Sequence, residues 1–139
     1  MKLSLTFLSF SLSQVLEFDG KCAEVPVIAD FDLARYGGTW FEQARYPVPF
    51  QAPDEKCISP TYGGIDETTV SVNNSAIVPV AETGQWKLQW LLGTAVQVDP
   101  RRPNSLFVSF DFDEPGEKAP RGNYHVMDTD YDNYSIGKI

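Results

Sequence analysis

One histidine and two cysteines in 139 residues leave little material for metal or nucleophile chemistry. A closed zinc site draws closely spaced Cys and His ligands from a recognisable pattern, and Cys22, Cys57 and His125 form none. His125 has no Cys or Ser beside it in a local catalytic motif. Basic residues are scarce as well, 11 Lys and Arg against 19 Asp and Glu, for a net charge of −8 and a pI near 4.5. Phosphate-rich partners need clustered cations, so this balance argues against nucleic acid and against an anionic membrane. Arg101-Arg102, the one basic pair, sits between Pro100 and Pro103 and reads as a solvated turn.

Internal repeats, low-complexity tracts and amphipathic helical stretches are absent, and no apolar run is long enough to span a bilayer. The one sustained apolar run, Leu3 to Leu12, follows Met1-Lys2 and reads as the core of a secretory signal peptide. Small residues in the pattern Ser11-x-Ser13 favour cleavage after Ser13, and in any case before Lys21. The expectation is a signal segment over residues 1–20 and a single domain over 21–139. Secretion permits disulfides and makes Asn73-Asn74-Ser75 a glycosylation sequon at Asn73. Asn133-Tyr134-Ser135 is a second sequon, embedded in a Tyr-rich motif.

What the chain has in quantity is short runs of Val, Ile, Phe, Tyr and Trp between turn residues, the pattern of an antiparallel all-β domain. Asp30 is placed to cap one helical turn over Phe31 to Tyr36. Gly37-Gly38 then releases the chain into a first strand, Thr39 to Tyr46, ended by Pro47, Pro49 and Pro53. Further strands fit Cys57 to Ile65, with a bend or bulge near Pro60 and Gly63-Gly64, and Thr69 to Val78. Ala81-Glu82-Thr83-Gly84 reads as a turn into Trp86 to Val98, where the apolar alternation fails at Leu91-Leu92-Gly93. Ser105 to Asp113, Asn123 to Thr129 and Tyr134 to Ile139 complete the series, with Glu114-Pro115-Gly116 ending the first of these three.

Two motifs bracket the strands: Gly38-Thr39-Trp40-Phe41-Glu42 leads into the first, and Thr129-Asp130-Tyr131-Asp132-Asn133-Tyr134 follows the sixth. In this order and spacing they resemble the lipocalins. The stretch from Lys21-Cys22 through Phe31-Asp32-Leu33-Ala34-Arg35-Tyr36 to Tyr46-Pro47 is similar to the apolipoprotein D-like branch, which includes insect bilin-binding and Lazarillo-type proteins. The resemblance implies an antiparallel up-and-down β-barrel. Its closed end would be built by Gly38, Trp40, Thr129, Asp130, Tyr131 and Tyr134, and its open end would admit a small hydrophobic ligand. It also implies an eighth strand and a C-terminal helix, and about seven strands are all that this sequence supplies. Gly137-Lys138-Ile139 departs from the apolar continuation of relatives, and a coding sequence containing GTAAG would suit a gene model run through a splice donor.

Strand periodicity places Glu42, Ala44 and Tyr46 on the same face as an inward Trp40. Matching the family by position adds Tyr62, Asn74, Ala76, Leu106, Val108, Phe110, Tyr124 and Val126 as inward ligand positions, with Pro47 and Phe50 at the mouth. That parity turns Asn73 outward and Asn74 inward, and it turns His125 outward. Rings with a few polar tips suit a largely apolar ligand: lipid, retinoid, steroid, or a bilin or carotenoid pigment. Asp128 and Asp130 share a spacing that acid/base pairs use, yet a strand end with no pocketed partner makes them structural.

The cysteines read two ways. Cys22 and Cys57 can pair with each other, which would stabilise by about 3 to 4 kcal/mol. The resemblance instead implies that each pairs with a cysteine beyond Ile139. The leading expectation is a secreted, non-catalytic carrier that needs no metal or resident cofactor. An extracellular interaction protein of Lazarillo type, or a truncated product with impaired binding, is the alternative.

Overall fold

The computed structural model describes residues 22–48, 51–111 and 121–139. The expected signal segment, Phe50 and the turn at Glu114-Pro115-Gly116 lie outside these residues. Among the described residues, a four-residue helix, α1 (Leu33–Tyr36), precedes seven strands: β1 (Gly38–Thr39), β2 (Lys56–Gly64), β3 (Thr69–Pro79), β4 (Trp86–Gln97), β5 (Ser105–Phe110), β6 (Tyr124–Thr129) and β7 (Ser135–Lys138). They form one antiparallel sheet in sequence order, curled into an incomplete barrel. Among the described residues, no helix is long and apolar enough to cross a membrane.

Period-two burial gives the sheet its two faces. On β3, Val70 and Val72 are buried while Ser71 and Asn73, which alternate with them, are exposed; on β4, Ala95 is buried. Those residues join Tyr62, Leu106 and Val126 in a core that Phe31, Leu33 and Tyr36 close from one end. The β3–β4 connection is held by Val80 N donating to Gln85 O at 2.7 Å and Gly84 N to Val80 O at 2.8 Å, with Gly84 at φ +67. Gly93 is the closest approach in the sheet: a Cβ there would meet the Ser109 carbonyl and the Phe110 backbone, so only glycine lets β5 lie against β4.

Three expectations are corrected. The helical turn is capped by Asp32, not Asp30, because the Asp32 carboxylate accepts from Arg35 N at 3.0 Å and the helix starts at Leu33. The first strand was expected to reach Tyr46 but is regular only over Gly38–Thr39. Trp40 N and Glu42 N still donate to Pro60 O and Ile58 O, at 2.9 and 3.0 Å. The ladder ends there because β2 shifts register between Lys56 and Ser59, with Cys57 at φ 53. The irregularity thus lies before Pro60, not at Gly63-Gly64. Cys22 and Cys57 are both free and exposed, so the structure holds no Cys22–Cys57 bond.

Candidate functional site

The closed end is a stack of rings. Trp40 lies on Tyr36 with centroids 5.4 Å apart, Tyr36 on Phe31 at 5.3 Å, and Phe31 on Tyr131 at 6.0 Å, so Trp40 reaches Tyr131 through two intervening rings. The Arg35 guanidinium caps the stack 4.4 Å from the Tyr131 centroid. Trp40 is half-buried and its indole N–H donates to Tyr36 O at 2.9 Å, a bond made possible by Gly38 turning the chain at φ +103.

The Thr-Asp-Tyr-x-x-Tyr motif is a turn built from side-chain acceptors. Asp130 Oδ1 accepts from the amides of Asp132, Asn133 and Tyr134 at 3.1, 2.7 and 3.1 Å, while Oδ2 accepts from Asn133 Nδ2 at 2.9 Å. The Asn133 side-chain and backbone donors are the largest causes holding the Asp130 carboxyl well below the usual carboxylate range. Thr129 Oγ1 donates to Tyr134 O and accepts from Tyr131 N, at 2.8 and 2.9 Å. Asp128 accepts from the Tyr134 hydroxyl at 3.0 Å. Both carboxylates are therefore engaged in the turn.

Above the stack lies a layer of hydroxyls. Tyr36 Oη is 2.8 Å from both Tyr124 Oη and Ser135 Oγ. Burial, first among the causes, pushes the Tyr36, Tyr62 and Tyr124 phenols far above their ordinary value. Leu106 and Val126 are fully buried beside this layer, and Val108 packs against the same cluster.

Farther toward the open end a cavity of about 110 Å³ is lined by Ile58, Asn74, Ser75, Ala76, Val78, Leu91 and Phe110, with Gln51, Glu55 and Gln89 adding polar tips. Asn74 Oδ1 is buried there without a hydrogen-bond partner among the described residues. Of the positions expected from sequence, Asn74, Ala76 and Phe110 line this cavity. Tyr62, Leu106 and Val126 belong to the closed-end core, with Val108 and Tyr124 packed against it. Glu42, Ala44, Tyr46 and Pro47 are exposed on the segment that leaves β1. Arg45 pins that segment by bonds to Glu42 Oε1 at 2.6 Å and Ala52 O at 3.1 Å.

Sequence reasoning missed the other seven lining residues, Gln51, Glu55, Ile58, Ser75, Val78, Gln89 and Leu91. Continuing the period of two from Asn74 and Ala76 reaches Val78. The β4 pair was hidden by the broken alternation, and only register, Asn74 opposite Leu91 and Ala76 opposite Gln89, reveals its inward parity. Asn104 was missed too. It is fully buried, donates to Pro26 O and Val126 O at 2.8 Å each, and accepts from Ile28 N at 3.2 Å, lashing the N-terminal segment beneath the barrel.

A larger, open cavity of about 860 Å³ lies against the outer face, where Ser105 and His125 form a register pair. His125 Nδ1 is 2.8 Å from Ser105 Oγ. Burial and the nearby Arg102 and Lys138 charges lower the His125 pKa. Ser105 is only 4% exposed, and Arg101 is engaged by Asp99 at 3.0 Å. Among the described residues, no group of three His, Cys, Asp or Glu could hold a metal ion.

A family model described as a lipocalin-like domain matches residues 31–137, from the ring stack to the last strand. The chain belongs to the lipocalin-like family. Within it the similarity runs to the apolipoprotein D-like branch: the chain is 32% identical over 117 residues to apolipoprotein D of Cavia porcellus, covering 84% of this chain and 56% of that protein. It is 28% identical to the bilin-binding protein of Pieris brassicae, covering 86% and 57% of the two chains. It is 29% identical to the Lazarillo protein of Schistocerca americana, covering 83% and 50%. The chain thus spans about half the length of the curated relatives it matches. Lipocalins typically bind small hydrophobic ligands.

Proposed function

We propose that this lipocalin is a secreted, non-catalytic carrier that holds a small, largely apolar ligand on the inner face of its barrel. The observation that carries the reading is the buried Asn74 Oδ1, without a hydrogen-bond partner among the described residues, on a residue that lines the cavity beside Ile58, Ala76, Val78, Leu91 and Phe110. A buried acceptor without a donor costs about 1–3 kcal/mol, which a ligand hydroxyl or N–H recovers on binding. Retinol-like alcohols, hydroxysteroids and bilins carry such donors; an ionised fatty acid, which offers only acceptors, suits this position less well.

The cavity of about 110 Å³ has room for one ring or a short chain. The remainder of the ligand would lie along the open side, over Glu42, Ala44, Tyr46 and Pro47, while Tyr62, Leu106, Val108, Tyr124 and Val126 form the floor. Met1-Lys2 and the apolar run that follows support export of the chain.

The test begins with absorption and mass spectra of solvent extracts from protein recovered from the medium. Displacement of an apolar fluorophore then compares retinol with palmitate on the parent and on Asn74→Leu. A retinol preference that Asn74→Leu abolishes supports the assignment. No fluorophore binding at all, by a protein whose far-UV spectrum is β-sheet, overturns the carrier reading; binding with no preference overturns the role of Asn74.

A further inference from the structure

The outer face of β4 carries Trp86, Leu88, Trp90 and Leu92 in strict alternation, 47%, 60%, 57% and 48% exposed. A contiguous stripe of four large apolar side chains is unusual on a monomer surface, where apolar residues are ordinarily scattered. Trp86 is covered on one ring face by the Lys56 ammonium, 4.0 Å from its centroid. Leu92 stands opposite Asn73 in the β3–β4 register, and Trp90 stands opposite Ser75, the hydroxyl residue of the Asn73-Asn74-Ser75 sequon. Asn73 is exposed on that same outer face.

We infer that an N-linked glycan on Asn73 covers Leu92 and Trp90. The inference rests on the secretory reading above, because the modifying enzyme and its lipid diphosphate-linked oligosaccharide lie on the secretory route. In the transfer, Asn73 Nδ2 bonds to the anomeric carbon of the first N-acetylglucosamine. The carbon–oxygen bond to the lipid diphosphate breaks, the amide gives up one proton, and the diphosphate leaves with the bonding electrons; nothing is oxidised or reduced. Directly opposed side chains on an antiparallel pair lie about 5 Å apart and diagonal ones about 7–8 Å, so a sugar on Asn73 begins beside Leu92 and reaches Trp90. The C–H face of a pyranose packs on the indole face and removes both apolar groups from water.

The second sequon lacks this setting. Asn133 Nδ2, the nitrogen that would have to take the sugar, is bound to Asp130 Oδ2 at 2.9 Å.

The full chain is expressed in a eukaryotic secretory host as parent, Asn73→Gln, Asn73→Thr and Trp90→Phe, with enzymatic glycan release as a second route to the bare surface. Peptide mass maps should place the glycan on Asn73 and leave Asn133 unmodified. Loss of the glycan, by either variant or by release, should lengthen retention on a hydrophobic column and raise the acrylamide quenching constant of tryptophan emission. In the Trp90→Phe background the rise in quenching should disappear. Protein that reaches the medium unmodified at Asn73 overturns the site, whereas protein retained and unmodified inside the cell removes the secretory reading itself. A glycan present with unchanged quenching and retention overturns the cover. So does a glycosylated dimer that Trp90→Ser dissociates, since the stripe would then be a contact between copies.

Discussion

The Tyr131 hydroxyl accepts the backbone N–H of Asp32 at 3.0 Å, across 99 residues of sequence. Asp32 is the residue that caps α1, so the turn after β6 is tied to the helix that plugs the closed end. Tyr131 itself sits at φ 70, a conformation that a non-glycine residue adopts at a cost. The Asp130 and Thr129 bonds hold the turn against that cost and aim the ring at Phe31. Tyr131→Phe keeps the ring stack and removes the single bond to Asp32. It should lower stability by about 1 kcal/mol, read as a shift in the urea midpoint at unchanged slope.

Asp130 predicts the acid behaviour. Its folded pKa is depressed relative to the unfolded chain, so the stability it contributes is present above the ordinary Asp value of 3.8 and is lost as pH falls from there toward the folded value. Urea midpoints between pH 5 and pH 2 should fall less steeply in Asp130→Asn than in the parent, with the two curves approaching each other at the acid end. Parallel curves would remove Asp130 from the account of acid unfolding.

The strands were legible because β3 follows the period of two with little interruption, and the closed end because Gly-x-Trp and Thr-Asp-Tyr-x-x-Tyr carry their own local bonds. Three features were not legible, each for a physical reason. The shortening of β1 depends on the bulge at Cys57, a positive φ that no residue type announced. Asn104 is polar in sequence and buried in the fold because three backbone groups from distant segments converge on it. The inward faces of Gln89 and Leu91 depend on β3–β4 register, which the run Leu91-Leu92-Gly93 disguises.

Gly93 breaks the pattern for a steric reason, and a substitution should expose it. Gly93→Ala places a methyl group against the Ser109 carbonyl and forces β4 and β5 apart. The expected loss is about 1–3 kcal/mol, accompanied by faster amide exchange along β5. Gly64→Ala, in the same sheet but with open space around the new Cβ, is the control and should change stability far less. Equal losses at the two sites would show that strand flexibility, rather than the close approach, governs Gly93.

The hydroxyl layer sets the alkaline limit. Tyr36, Tyr62 and Tyr124 have phenols raised by burial, so the folded state favours their neutral forms. Their contribution to stability is complete below the unfolded value of 10.0 and is lost as pH rises above it, toward folded values that lie higher still. Ionisation followed at 295 nm should therefore show these three phenols appearing together with the loss of β-sheet ellipticity, in one cooperative step. Tyr124→Phe removes one phenolate from that step and also deprives Tyr36 of a partner 2.8 Å away, leaving Ser135 to satisfy it. The variant should unfold at a higher pH than the parent if ionisation drives the transition. If absorbance at 295 nm rises through all three phenols while ellipticity is intact, water reaches the floor of the barrel in the native state and the layer is not a seal.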